Sequence, residues 1–81
     1  MDIRTDALLA AARDALAVPY PATPDARLAY LELHRDRSTA VRHALDQAAA
    51  GDVDGALDMI EQAVAAMPVT YPVDQMWTVI A

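Results

Sequence analysis

The chain contains no cysteine and no lysine. Without thiols it can form neither a disulfide framework nor a thiolate metal site, and it has no thiol nucleophile. The lack of lysine beside six arginines and 19 alanines indicates GC-rich codon use, typical of a bacterial genome. That bias describes the source of the chain and leaves its function open.

Positive charge is scarce as well, since the net charge is −6. Residues 1–42 hold six acids and all six arginines, whereas residues 43–81 hold six acids and no basic residue apart from histidine. Binding to a phosphate backbone needs a surplus of positive charge. The composition therefore excludes nucleic acid as a partner and places the whole net charge in the second half.

Bulky apolar side chains are fewer than the hydrophobic fraction of 56% implies, because 19 of those 45 residues are alanine. A chain of about 80 residues buries only about 60% of its unfolded surface, so its core is thin. We expect one small domain, residues 1–81, for which self-association is a way to enlarge the core.

Long apolar runs are also missing. The start, residues 1–6, has no basic region of the kind that opens a signal peptide, and Arg13 and Asp14 interrupt the apolar stretch 7–18. We therefore expect a cytoplasmic protein with no membrane partner.

All five prolines lie in two short joints, residues 18–24 and 67–72. Proline cannot continue a helix and biases the preceding residue towards extended geometry, so the joints separate helical segments. The pattern predicts an all-α fold, a small antiparallel bundle of three main helices plus a short C-terminal helix. The predicted helices span about 3–17, 24–50, 53–67 and 72–80, and the β-branched residues at 78–80 leave an extended tail as the alternative for the last of them.

The first two predicted helices have weaker patterns than the third. Asp2 or Thr5 is placed to cap the first helix, and Thr23 to cap the second. The second helix has apolar residues at roughly helical spacing, namely Leu28, Leu31, Val41, Leu45 and Ala48. Its middle, residues 34–39, is polar enough for Ser38 to cap a separate helix, although one long helix is favoured.

The third predicted helix has the strongest periodicity in the chain. Gly51 ends the preceding helix and Asp52 caps this one. One continuous apolar face follows, made by Val53, Ala56, Leu57, Ile60, Ala63, Val64 and Met67.

The segment Gly51–Pro68 resembles the turn and second helix of a tetratricopeptide repeat. Gly51 and Ala56 are five residues apart, Ala56 and Ala63 are seven apart with Ile60 between them, and Pro68 follows five later. The resemblance covers 18 residues and implies a helical hairpin with a tight glycine turn. The preceding helix departs from the family pattern, and no second copy lies 34 residues earlier.

The same segment can be aligned with a calcium-binding loop. Asp52, Asp54, Gly55, Asp58 and Glu61 then occupy loop positions where calcium loops place oxygen ligands and the turn glycine. That alternative requires residues 50–61 to be mostly non-helical. In a helix, Asp54, Asp58 and Glu61 instead form an outward acidic edge at i, i+4 and i+7.

No catalytic constellation emerges from the sequence. His34 and His43 are nine residues apart, about 900° around a helix, and so lie on opposite faces. Ser38 is the only serine and has no adjacent base to activate it. The chain is also similar to acyl carrier proteins in length and acidity, but their Asp-Ser-Leu motif is missing. We expect no enzyme, no cofactor and no metal.

The C-terminal segment concentrates side chains that are common at protein interfaces, including the only tryptophan. The sequence therefore predicts a non-enzymatic protein–protein interaction module that self-associates. Two alternatives remain open: a divalent-cation-responsive protein using carboxylates of residues 52–61, and an acidic regulator of a basic protein surface. The predicted partner-binding residues are Tyr71, Met76, Trp77 and Ile80 together with the acidic edge Asp54, Asp58 and Glu61.

Overall fold

The structure is a computed structural model that describes residues 2–74. Over this range it contains three α-helices, α1 (Ile3–Leu16), α2 (Arg27–Ala49) and α3 (Val53–Ala66), and no β-strand. A 3-10 turn, Pro24–Ala26, precedes α2. The described chain is therefore all-α, as the sequence predicts. Residues 75–80 of the predicted fourth helix lie outside the described range, and the tetratricopeptide resemblance stays a prediction.

Aspartate side chains cap the first and third helices. The Asp2 carboxylate accepts a hydrogen bond from the Thr5 amide at 2.8 Å, and that of Asp52 accepts one from the Gly55 amide at 2.9 Å. Each carboxylate satisfies an amide that has no partner within the helix and lies at the positive end of the helix dipole. Both helices accordingly begin at their predicted first residues.

The second helix begins later than its sequence predicts and has no break. Thr23 makes no capping hydrogen bond, and residues 24–26 form the 3-10 turn before α2 begins at Arg27. From there α2 continues through residues 34–39, so Ser38 does not start a separate helix. Gly51 lies in the connection between α2 and α3 and has a φ of 106°, a left-handed conformation that favours glycine.

The three helices pack around one main core. Four of its seven buried residues are alanines, and small side chains let helix backbones approach closely. Ile60 and Leu8 supply most of the bulk. The buried members are Leu8, Ala12, Ala15, Val41, Ala44, Ala56 and Ile60.

The inward face of α2 differs from the apolar pattern read from its sequence. Leu28, Leu31 and Leu45 are 66%, 50% and 40% exposed, whereas Val41, which has roughly helical spacing with them in the sequence, is buried. The buried row instead has Arg37 in its middle, and this charged residue interrupts the apolar pattern. The residues on the inward face are Tyr30, Leu33, Arg37, Val41, Ala44 and Ala48.

The two proline joints lie against each other in a second, smaller cluster. Pro21 and Val73 form an isolated antiparallel β-bridge, closed by the Ala22 amide on the Pro72 carbonyl at 2.8 Å and the Asp74 amide on the Tyr20 carbonyl at 2.9 Å. Residues 72–74 are therefore extended, which corrects the prediction that a helix starts at 72. The buried members of the cluster are Val18, Ala26 and Tyr71.

Candidate functional site

The predicted acidic edge lies on the exposed side of α3. Asp54, Asp58 and Glu61 are all exposed. Asp54 pairs with Arg4 at 3.1 Å, with both side chains about two-thirds exposed, and Asp58 accepts a hydrogen bond from Gln62 at 2.8 Å. An ion pair so open to water contributes little to stability. The edge therefore remains accessible to a partner.

Glu61 also belongs to an apolar groove between α1 and α3. The groove has a volume of about 350 Å³, and its floor is made of small or aliphatic side chains. Asp14 on α1 and Glu61 on α3 are its only charged lining residues. We call this feature the α1–α3 groove. Its lining residues are Ala11, Asp14, Ala15, Ile60, Glu61, Val64 and Ala65.

The side of α2 that faces away from the core combines leucines with arginines. Leu28 and Leu31 are the two most exposed leucines of the helix, and Arg27 and Arg35 are exposed beside them. At 100° per residue these four side chains lie within about 100° of one another around α2. The Arg35 guanidinium is 3.1 Å from the neighbouring Asp36 carboxylate, a pair that is largely exposed. We call these four residues the α2 leucine–arginine face.

The structure places Tyr71 in the second cluster, where it is 8% exposed. Its hydroxyl donates a hydrogen bond to the Pro19 carbonyl at 2.6 Å, and its ring meets that of Tyr30 edge-on at 6.4 Å. Burial raises the pKa of the phenol. Tyr71 thus holds the two joints together and offers little surface to a partner. Met76, Trp77 and Ile80 lie outside the described residues.

Arg37 is a buried residue whose role the sequence does not reveal. It is 7% exposed, and its guanidinium donates to the Met67 carbonyl at 3.0 and 3.2 Å and to the Ala15 carbonyl at 3.4 Å. Ala15 lies in the last turn of α1, and Met67 directly follows α3. One cation therefore serves the negative ends of two helix dipoles.

The geometry of residues 50–61 does not match a calcium loop, because α3 is helical from Val53 onwards. The two carboxylate oxygens of Asp52 accept from the Gly55 amide and from the Gln47 side-chain amide, respectively. These hydrogen bonds hold the pKa of Asp52 below its usual value, and the one from Gln47 has the larger effect. Within residues 2–74 no group of three His, Cys, Asp or Glu side chains is arranged to hold a metal ion.

Comparisons with known proteins found no significant match to a protein-family model, to a curated protein sequence or to a solved structure. In the described part of the chain, none of the helices has the length and apolar character needed to cross a membrane. The two helix surfaces and the acidic edge are thus the features from which a function can be argued.

Proposed function

We propose that this protein is a small, non-enzymatic helical module that binds protein, with a second copy of the same chain as its first partner. The observation that carries the proposal is the exposure of Leu28 and Leu31, at 66% and 50%, on the outward side of the longest helix. Exposed leucines that lie one helical turn apart form a continuous apolar strip, and such strips are typical of helix-binding surfaces.

The shape of the molecule supports the same proposal. It measures 41 × 23 × 15 Å, and its radius of gyration of 13.8 Å exceeds the value of about 12 Å expected for a compact chain of this length. The smallest dimension is close to that of two packed helices. So thin a molecule has little room for a core, and contact with a second copy would bury more apolar surface.

The remaining polar residues give no support to a catalytic alternative. His34 and His43 are both exposed and, nine residues apart on the continuous helix α2, point to opposite sides. Asp54, Asp58 and Glu61 of the acidic edge suit a partner with basic residues. Met76 and Trp77 are of the types enriched at interfaces, and together with Ile80 they are included in the proposal as further partner contacts.

Sedimentation equilibrium across micromolar to millimolar concentrations tests the proposal. We expect the average mass to rise from that of the 8.7 kDa chain to twice that value or more. The Leu28→Ser/Leu31→Ser variant should shift this rise to higher concentration, because polar side chains replace both leucines of the apolar strip. Leu9→Ser, which changes a 48% exposed leucine on α1, is the matched control. A wild-type mass that stays at 8.7 kDa throughout the range overturns the proposal.

A further inference from the structure

We infer that the α1–α3 groove of one copy binds the α2 leucine–arginine face of a second copy. The inference rests on the self-association proposed above and specifies the two surfaces that meet. Each surface has an apolar centre between charged side chains, and the charges on the two surfaces have opposite signs.

The apolar parts match in kind and in size. Ala11, Ala15 and Ala65 line the groove with side chains too small to fill it, which leaves a volume of about 350 Å³. Leu28 and Leu31 are one helical turn apart, about 4.5 Å along the axis of α2, and project to the same side. Two neighbouring leucines on a helix are the kind of ridge that packs into a groove between two other helices.

The charged parts match in sign. Arg27 and Arg35 lie on either side of the two leucines, about 12 Å apart along α2. Asp14 and Glu61 lie on either side of the groove, one on each helix, and no basic residue lines it. Arginine pairs with carboxylates through several hydrogen bonds, so these pairs add specificity to the contact.

The two surfaces are different parts of the chain, so a single groove-to-face contact is heterologous unless the same two copies also form the reciprocal contact. Where it is not reciprocated, each copy that inserts its α2 face into a neighbour's groove still presents its own groove to a third copy. Such head-to-tail contacts build rings or open chains, whereas a two-fold contact stops at a dimer. Species larger than a dimer at high concentration indicate open head-to-tail contacts, and a mass that stops at two chains indicates the reciprocal, two-fold form.

Charge reversals on the two surfaces test the inference. Glu61→Arg changes the groove, and Arg35→Glu changes the α2 face. Each variant should raise the dissociation constant for self-association roughly tenfold or more, because it places like charges opposite each other. Asp46→Arg and Arg13→Glu make the corresponding charge changes at exposed positions outside the two surfaces and should shift it less than about threefold. Circular dichroism verifies that all four variants keep the helical fold.

An equimolar mixture of Glu61→Arg and Arg35→Glu provides the decisive measurement. The first variant retains an intact α2 face and the second an intact groove, so the mixture should associate with nearly wild-type affinity although neither variant does so alone. If only one of the two reversals weakens association, or if the mixture fails to associate, the inference is overturned while the proposed self-association stands. A monomeric wild-type chain overturns both.

Discussion

At the residue scale, Arg37 shows how a single side chain can connect all three helices. It extends from α2 to carbonyl groups at the ends of α1 and α3. Its aliphatic stem is buried, and its charge has carbonyl oxygens as partners. Without the Arg37 guanidinium as donor, these carbonyl groups at the ends of α1 and α3 would lack its hydrogen bonds where the two helices pack against α2.

Replacing Arg37 tests this role. Arg37→Ala should lower the free energy of unfolding by about 2–4 kcal/mol, since it removes charge-assisted hydrogen bonds and leaves part-buried carbonyls unsatisfied. Arg37→Lys keeps the charge but has a single donor group, and it should cause a smaller loss. Urea unfolding followed by circular dichroism measures both. Arg35→Ala, at an exposed position, should change the value by less than about 0.5 kcal/mol, and an equal loss there would contradict the assignment.

Tyr71 is the second residue with a specific energetic role. Tyr71→Phe removes the hydroxyl that donates to the Pro19 carbonyl and should lower the free energy of unfolding by about 1 kcal/mol at neutral pH. Because the folded state raises the phenol pKa, the unfolded chain ionises first as pH rises above about 10. The wild-type protein should therefore begin to lose stability above about pH 10 and continue to lose it as the pH rises to the higher pKa of the folded state. Tyr71→Phe should show less of this loss in urea titrations between pH 7 and pH 11, and an unchanged alkaline loss would count against the role.

At the element scale, the turn between α2 and α3 is organised by Asp52. Its carboxylate receives the Gly55 amide and the Gln47 side chain, so it caps α3 and joins it to the end of α2. A Cβ atom on Gly55 would overlap the Asp52 carboxylate. Glycine at 55 therefore gives the capping side chain its space, while glycine at 51 permits the left-handed turn.

The titration of Asp52 provides a test of the cap. Its pKa lies below the usual 3.8 in the folded state, so the stability it contributes is present above pH 3.8 and is lost as pH falls through the folded value. Asp52→Asn keeps an acceptor for the Gly55 amide without the titration, whereas Asp52→Ala loses both. Thermal melts should give Asp52→Ala a lower Tm than Asp52→Asn at pH 7. The Tm of Asp52→Asn should also fall less with decreasing pH than the wild-type Tm. Equal Tm values for the two variants at pH 7 would refute the cap.

Comparison of the helices shows what local sequence can and cannot predict. The starts of α1 and α3 follow from their capping aspartates, and the inward face of α3 follows from its apolar period. The inward face of α2 does not follow, because Arg37 occupies the core row and leucines occupy the outward side. The partners of Arg37 are 22 and 30 residues away, and that of Tyr71 is 52 away. No local spacing encodes those contacts.

The candidate site divides in the same way. The spacing of Asp54, Asp58 and Glu61 was enough to predict an exposed acidic edge on one helix. The α1–α3 groove could not be predicted, since it depends on how two helices separated by 36 residues of sequence come together. The leucines of the α2 leucine–arginine face have roughly helical spacing with Val41, but the spacing alone does not show that Val41 faces the core and these leucines face away from it.

At the scale of the whole molecule, stability depends on very few bulky residues. Ile60 is 1% exposed and is the largest fully buried side chain among residues 2–74. Alanines make up much of the remaining core, so neighbouring side chains have little ability to fill a cavity.

Ile60→Ala should therefore lower the free energy of unfolding by about 2–5 kcal/mol. The total free energy of unfolding of a domain of this length is about 4–12 kcal/mol, so this loss brings the entire molecule close to unfolding. Urea titration followed by circular dichroism and by tyrosine fluorescence should give coincident, shifted transitions. Leu9→Ala, at a 48% exposed site, should leave the midpoint nearly unchanged. A loss below about 1 kcal/mol for Ile60→Ala would show that the core is larger than its buried residues indicate.

The pairing of the proline joints also has a consequence for the order of folding. The bridge between Pro21 and Val73 closes a loop of about 50 residues that contains both α2 and α3. Closing such a loop in an unfolded chain costs about 3.5 kcal/mol of chain entropy, whereas the α2–α3 hairpin needs only a short turn. We therefore expect the hairpin to form early and to bring the joints together, with the bridge closing after it. If unfolding follows the reverse order, the joints separate before the α2–α3 hairpin opens.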